Sequence, residues 1–189
     1  WAARMTGTFA DAPVSSFEKI RADQASIWVN PNVIPVPAMI DNLRVKELPG
    51  DFVHHFSSEK LEIDFEKTGH HPVSMMGEPN SRLESRFVRG NEQGLRLMDA
   101  ERMLVRFKPG STTVQSVEAG PKFQMHESLG SLNRDLRSDH AQAEFIESSG
   151  QISRADFHGG FFFEQGEVRA SSSTAAYESA ADRVRLEGR

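Results

Sequence analysis

Asp139-His140-Ala141-Gln142-Ala143-Glu144-Phe145 alternates polar and apolar residues along its whole length. A period of two puts Ala141, Ala143 and Phe145 on one face of a strand and the polar residues on the other. The run stops at Ser148-Ser149-Gly150, where turn chemistry takes over. A second alternating run follows and is expected to end at Gly159-Gly160. Phe161-Phe162-Phe163-Glu164-Gln165-Gly166 starts another strand, and a last pair of strands reaches Gly188. The stretch from Leu136 to Arg189 therefore reads as a ladder of short strands and tight turns.

The same pattern recurs upstream. Ile20 to Val29 reads as a strand, Asn30-Pro31-Asn32 as a turn, and Val33 to Val45 as a return strand interrupted by Pro35 and Pro37. Proline cannot donate to a ladder, so that return strand is expected at an edge or a bulge. Phe56 to Phe65 places Leu61, Ile63 and Phe65 on one face, and Val73 to Gly77 returns. Leu97 to Phe107 reads as one strand with Met103, Val105 and Phe107 on one face, followed by a return from Thr113 to Gly120. Ala170 to Tyr177 and Arg183 to Gly188 make the fifth unit. Ser128 to Leu136 is the one short segment read as helical.

These units are in register. Glu59 precedes Phe65 by six residues, Glu101 precedes Phe107, Asp139 precedes Phe145, and Ser171 precedes Tyr177. Asp23 and Val29 hold the same positions in the first unit. The closing residues 29, 65, 107, 145 and 177 are 36, 42, 38 and 32 residues apart. A repeat of that size, built of strand, turn and strand, points to a stacked β architecture. The expectation is a single module over residues 1–189, with about five strand-turn-strand units.

Composition bounds the function. The chain has 189 residues and a net charge of −5 with both signs interspersed, which leaves no basic footprint for nucleic acid. It has no cysteine, so disulfides and thiolate metal sites are excluded. There is no apolar run long enough to span a membrane as a helix. The chain begins at Trp1 rather than Met, so a targeting segment or an inner-membrane anchor is expected to have preceded it.

No phosphate-cradling glycine loop, nucleophile elbow or His-Glu-x-x-His motif is present. The adjacent pairs His54-His55 and His70-His71 would point to opposite strand faces and cannot jointly chelate a metal, so no metal site and no cofactor is expected. The carboxylates Glu62, Asp64, Glu144, Asp156, Glu164 and Glu167 fall mostly on outward positions, with no signature of a catalytic pair. No catalytic residue is assigned, and an enzyme is not expected. Arg102, Arg106, Arg137, Arg154, Arg169, Arg183 and Arg185 lie at strand ends or on the polar face. A guanidinium fork there fits two phosphate oxygens, or simply keeps a mixed-charge surface soluble.

The closing segment carries a family resemblance. Ala141-x-Ala143-x-Phe145, a turn, a strand, then Arg169 to Tyr177 and Val184-Arg185-Leu186-Glu187-Gly188 resemble an OstA-like repeat. Such repeats build the periplasmic lipopolysaccharide-transport proteins (the LptA, LptC and N-terminal LptD group). The resemblance is best over 136–189, fair over 56–120 and poor over 1–55. It implies an all-β fold, an open, twisted β-jellyroll of stacked antiparallel hairpins, β-solenoid-like in its repetition. It implies a non-enzymatic, periplasmic lipid-transport module that shields the acyl chains of lipopolysaccharide, or a similar amphipathic lipid, in an apolar groove. It also implies end-to-end pairing of edge strands with other OstA-like modules, bridging inner and outer membranes. Leu61, Ile63, Phe65, Met103, Val105, Phe107, Ala141, Ala143, Phe145, Phe161 and Phe163 are the candidate lipid-binding strip. From alternation alone the same residues suit a filled core, so a scaffold or interaction module is the alternative, with a carbohydrate-active enzyme behind it.

Overall fold

The computed structural model describes residues 2–9, 19–30, 54–67, 71–89, 91–111, 113–146, 152–181 and 183–188. The expected return strand from Val33 to Val45 and the prolines from Pro31 to Pro49 lie outside them. The described residues form fourteen strands and one short 3-10 turn, Ser179–Ala181. The strands are β1 (Ala2–Phe9), β2 (Lys19–Asn30), β3 (His54–Phe65), β4 (Pro72–Glu78), β5 (Ser81–Arg89), β6 (Glu92–Ala100) and β7 (Arg102–Phe107). They continue as β8 (Val114–Gly120), β9 (Phe123–Leu129), β10 (Leu132–Ser138), β11 (His140–Phe145), β12 (Ile152–Gln165), β13 (Val168–Glu178) and β14 (Arg183–Glu187).

Every pairing is antiparallel, and one rule generates them all. Each long strand bends at a corner and lies beside the next long strand. The bends fall at Gln24 in β2, Glu59 in β3, Pro79-Asn80 between β4 and β5, and Glu101 between β6 and β7. They continue at Pro121-Lys122 between β8 and β9, Asp139 between β10 and β11, and Gly159-Gly160 in β12. Backbone bonds tie neighbouring corners together. Glu59 N–H donates to Pro79 O at 3.2 Å, Glu101 N–H to Pro121 O at 3.0 Å, and Asp139 N–H to Gly159 O at 2.7 Å.

A bend strands a carbonyl that a straight ladder would satisfy, and buried carbonyls need partners. Serine hydroxyls supply them: Ser58 Oγ donates to Lys60 O at 2.7 Å, Ser138 Oγ to His140 O at 2.9 Å, and Ser172 Oγ to Thr174 O at 2.7 Å. Gly159 is required at its corner, because its φ is +79° and an added Cβ would come within 2.5 Å of Asp139 Oδ2.

The corners divide the strands into two walls. The first wall runs β1–β2–β3–β4–β7–β8–β11–β12–β13–β14 and the second runs β3–β5–β6–β9–β10–β12, with β13 beside β12 along both. Their inner faces share one core, in which Leu61, Ile63, Met103 and Val105 from the first wall meet Phe56, Phe123 and Leu136 from the second. Phe123 and Phe157 stack across the walls with centroids 6.3 Å apart.

Four expectations need correction; the run expected to end at Gly159-Gly160 instead continues through that corner as the single strand β12. The strand path is not open in its pairing: His54 to Ser57 of β3 pair β5 while Lys60 to Phe65 pair β4, so ten strands from β3 to β12 form a closed circuit. The physical reason is that β3 and β12 run unbroken through their corners and bond on both sides. Ser128 to Leu136 is a hairpin rather than a helix, since Gly130 at φ +57° turns β9 into β10. Leu97 to Phe107 is two strands, because the single residue Glu101 carries a corner.

Candidate functional site

The sequence-predicted strip lines the interior. Leu61, Ile63, Met103, Val105 and Phe161 are buried in the core, and Phe65, Phe107, Ala141, Phe145 and Phe163 pack against it partly exposed. Ala143 sits in register between Val117 and Ala155. Burial fades with distance from the corner. Leu61 and Met103, two residues past it, are buried, whereas Phe65, Phe107 and Phe145, six residues past it, are half-buried.

On the first wall the inner face is apolar across its width. One cross-strand row reads Leu61, Gly77, Met103, Ala119, Ala141, Phe157, Ala175 and Leu186, and the next Ile63, Met75, Val105, Val117, Ala143, Ala155, Tyr177 and Val184. The rows continue past the closed circuit onto β14, where Val184 is 58% and Leu186 43% exposed. Among the described residues, strands β1 and β14 each pair on one side only.

The second wall differs. Its row nearest the corner mixes small polar and apolar residues (Ser58, Ser81, Ala100, Phe123, Ser138 and Phe161), and its middle row (Phe56, Leu83, Met98, Met125, Leu136 and Phe163) is apolar. The row beyond is polar throughout: His54, Ser85, Arg96, Glu127, Arg134 and Gln165 are consecutive cross-strand neighbours. Their side chains connect as the register predicts. Ser85 Oγ is 3.0 Å from His54 Nδ1, and Arg96 donates to Glu127 Oε2 through Nη2 at 2.5 Å and Nε at 2.9 Å. Arg134 donates Nη1–H to Glu127 Oε1 at 3.3 Å and Nε–H to Gln165 Oε1 at 2.7 Å. The Glu127 side chain is only 4% exposed, against 22% for Arg96 and 32% for Arg134.

This row stands five residues from the corner on every strand it crosses. Phe65, Phe107 and Phe145 stand six residues from it on the first wall. The interior is thus edged by aromatics on one side and by a charged row on the other.

Sequence reasoning missed Arg96, Glu127 and Arg134. Alternation could have found them: Gly94-x-Arg96-x-Met98-x-Ala100, Phe123-x-Met125-x-Glu127-x-Leu129 and Leu132-x-Arg134-x-Leu136-x-Ser138 each put a charge on the apolar face. The arginines singled out from sequence lie elsewhere, each beside its own partner. Arg102 is 3.7 Å from Glu78, Arg154 2.8 Å from Asp156, Arg169 2.7 Å from Glu164, Arg183 2.9 Å from Glu178 and Arg185 2.7 Å from Glu187. Arg106 pairs with Glu118, and Arg137 stacks 4.4 Å from the Phe162 ring centroid. Glu62 pairs with Lys19 and Arg21, and Asp64 with Lys19. The described histidines sit mainly in strands, and no group of three or more His, Asp or Glu able to hold a metal occurs among the described residues. Among them no helix is long and apolar enough to cross a membrane.

Burial, and then the Arg96 charge, lower the basicity of His54; burial also lowers that of His55, offset in part by Glu84. A folded-state value below the unfolded one means the unfolded chain takes up the proton first, so stability rises with pH across that interval. The melting temperature is expected to hold above about pH 7.5 and to fall as pH drops through the ordinary histidine range near 6.5. His54 as a whole residue is still exposed, which keeps the effect small. The His54→Gln/His55→Gln variant should show a shallower decline in melts at pH 7.5, 6.5 and 5.5; an unchanged decline would assign it to other groups. The Glu62 carboxylate, held low first by Lys19 and then by Arg21, loses its contribution only in more acid solution.

The chain matches no protein-family model, and no curated protein shows significant similarity to it.

Proposed function

We propose that this chain is a non-enzymatic, periplasmic lipid-transport module of the OstA-like kind. In this reading its bent strands form a β-jellyroll whose walls part away from the corners, and its interior shields the acyl chains of lipopolysaccharide. The observation that carries the reading is the apolar inner face of the first wall, unbroken across the closed circuit and continued on β14 by the exposed Val184 and Leu186. Burying an acyl chain there is worth about 0.8 kcal/mol per methylene. The fading burial from Leu61 to Phe65 and from Met103 to Phe107 supports an interior that is tight at the corners and accessible at the far ends. Strands β1 and β14, singly paired among the described residues, would supply templates on which other OstA-like modules add their own edge strands. The reaction the module would support is physical transfer, with the energy coming from elsewhere.

The complete burial of Met103 favours a second reading, a scaffold module with a filled core. Photocrosslinking separates the two. A photoreactive phenylalanine analogue at Phe107, Phe145 or Phe163 is expected to label with lipopolysaccharide, and one at the exposed Glu144 is not. A well-folded protein that labels at none of the three positions would leave the scaffold reading in its place.

A further inference from the structure

The outer face of the second wall carries a groove. Ser57, Arg82, Asp99, Gln124, Arg137 and Phe162 are consecutive cross-strand neighbours on it, each exposed or half-buried. Two hollows, of about 540 Å³ and 350 Å³, lie along this row and share Asp99 and Gln124. Both fall in the size range of small-molecule sites. The corner residues Asn80, Glu101 and Lys122 line the first hollow, and Leu97 and Phe162 line the second. At about 4.8 Å per strand spacing, the six-strand row spans about 24 Å.

The groove is polar, and its charges are matched. Arg82 donates to both oxygens of Asp99, at 2.7 and 3.2 Å. Lys122 pairs with Glu101, and His126 bonds Asp135 at 2.8 Å. Arg169 holds Glu164 at 2.7 Å, and the Arg137 guanidinium lies 4.4 Å from the Phe162 ring centroid. Acids spaced along the groove repel a polyanion, and the interleaved bases repel a cation. A peptide strand finds no template there, because β6, β9 and β10 are hydrogen-bonded on both sides. What the groove does offer is planar groups with capacity left over. A guanidinium has five N–H donors and a carboxylate about four acceptor sites. The bonds between Arg82 and Asp99 engage two of each.

We propose that this groove binds a neutral oligosaccharide. A hydroxyl both donates and accepts, so neighbouring hydroxyls of one sugar ring can bridge the remaining acceptor sites of Asp99 and the remaining N–H groups of Arg82. Gln124 continues the row with an amide that offers a donor and an acceptor together. Phe162 and Leu97 supply apolar surface for the C–H face of a ring, and Arg137 steadies the Phe162 ring. The inference does not rest on the lipid-binding reading, because the groove and the core lie on opposite faces of the same wall.

The test is binding of the whole chain to an array of neutral hexose and N-acetylhexosamine oligosaccharides, with uronic-acid oligosaccharides alongside. At least one neutral series is expected to be retained, more strongly as its chain lengthens and above the uronic-acid series. Calorimetry with the best-retained oligosaccharide, free in solution, then locates the site. Asp99→Asn should weaken binding at least tenfold and Gln124→Ala several-fold, with the melting temperature of each variant unchanged. Glu62→Gln, at a paired acid on the outer face of the first wall, should leave binding as it was. Retention of no neutral series would overturn the proposal, and so would stronger retention of the uronic-acid series. Binding that ignores both groove variants would overturn it as well, by placing the sugar elsewhere. A chain that binds the free oligosaccharide but labels with no lipopolysaccharide would keep this site and lose the lipid groove; the opposite pair of results would do the reverse.

Discussion

Met103→Ala is expected to lower stability by about 2–5 kcal/mol, as large-to-small changes in tight cores do. For a chain of this size that is a melting temperature lower by roughly 5–20 °C, read by scanning calorimetry. Met103 is fully buried. Its neighbours in register are Gly77 and Ala119, so its long side chain fills the width left by two small residues. The place vacated by Gly77 is already taken. A Cβ there would lie 2.5 Å from Phe56 Cζ and 2.8 Å from Ser58 Oγ, so the site cannot collapse from that side. Val184→Ala, at an exposed position on the same face, should cost less than about 0.5 kcal/mol. A Met103→Ala loss that small would mean the interior near the corners is loosely filled.

The second large effect concerns the Arg96–Glu127–Arg134 row. Glu127→Ala should destabilise by roughly 3 kcal/mol, because it removes the carboxylate that two partly buried guanidinium groups share. Replacing all three together, by Met, Leu and Met, should instead be neutral or stabilising by about 1–4 kcal/mol. Desolvating an ion pair costs more than its attraction returns unless the geometry is excellent, whereas apolar residues would continue the adjoining row of Leu83, Met98, Met125 and Leu136. Chemical denaturation of the single and triple variants measures both. A triple variant less stable than the parent would make the row a net stabiliser.

The repeat was legible because its marks are structural. Glu59, Glu101 and Asp139 sit at the corners, and Phe65, Phe107 and Phe145 close the arms that leave them. A polar residue suits the bend, and an apolar one suits the end of a half-covered arm. Alternation also read the strip correctly as inward-facing. What it did not show was the bend itself. Leu97 to Phe107 keeps an unremarkable strand composition, and one residue, Glu101, turns it from one wall to the other with a single tie to Pro121. The charged row stayed hidden for a related reason. Leu132-x-Arg134-x-Leu136-x-Ser138 is a period-two pattern, but charges at inward positions weaken it, and the surrounding residues were read as helix. Closure of the strand circuit depends on which neighbours β3 and β12 find on each side of their corners, a long-range choice with no local signature.

Bent strands stacked one beside another also make the length of the molecule adjustable in evolution. Each added strand thickens the stack by about 4.8 Å without altering the cross-section its neighbours present. Because neighbours run in opposite directions, a single insertion would reverse everything downstream, whereas a pair restores the original sense. The natural increment is therefore two bent strands, close to the 36 to 42 residues that separate the first four closing residues. Duplicating one such increment should lengthen the interior by about 10 Å while leaving both terminal strands facing the same neighbours as before.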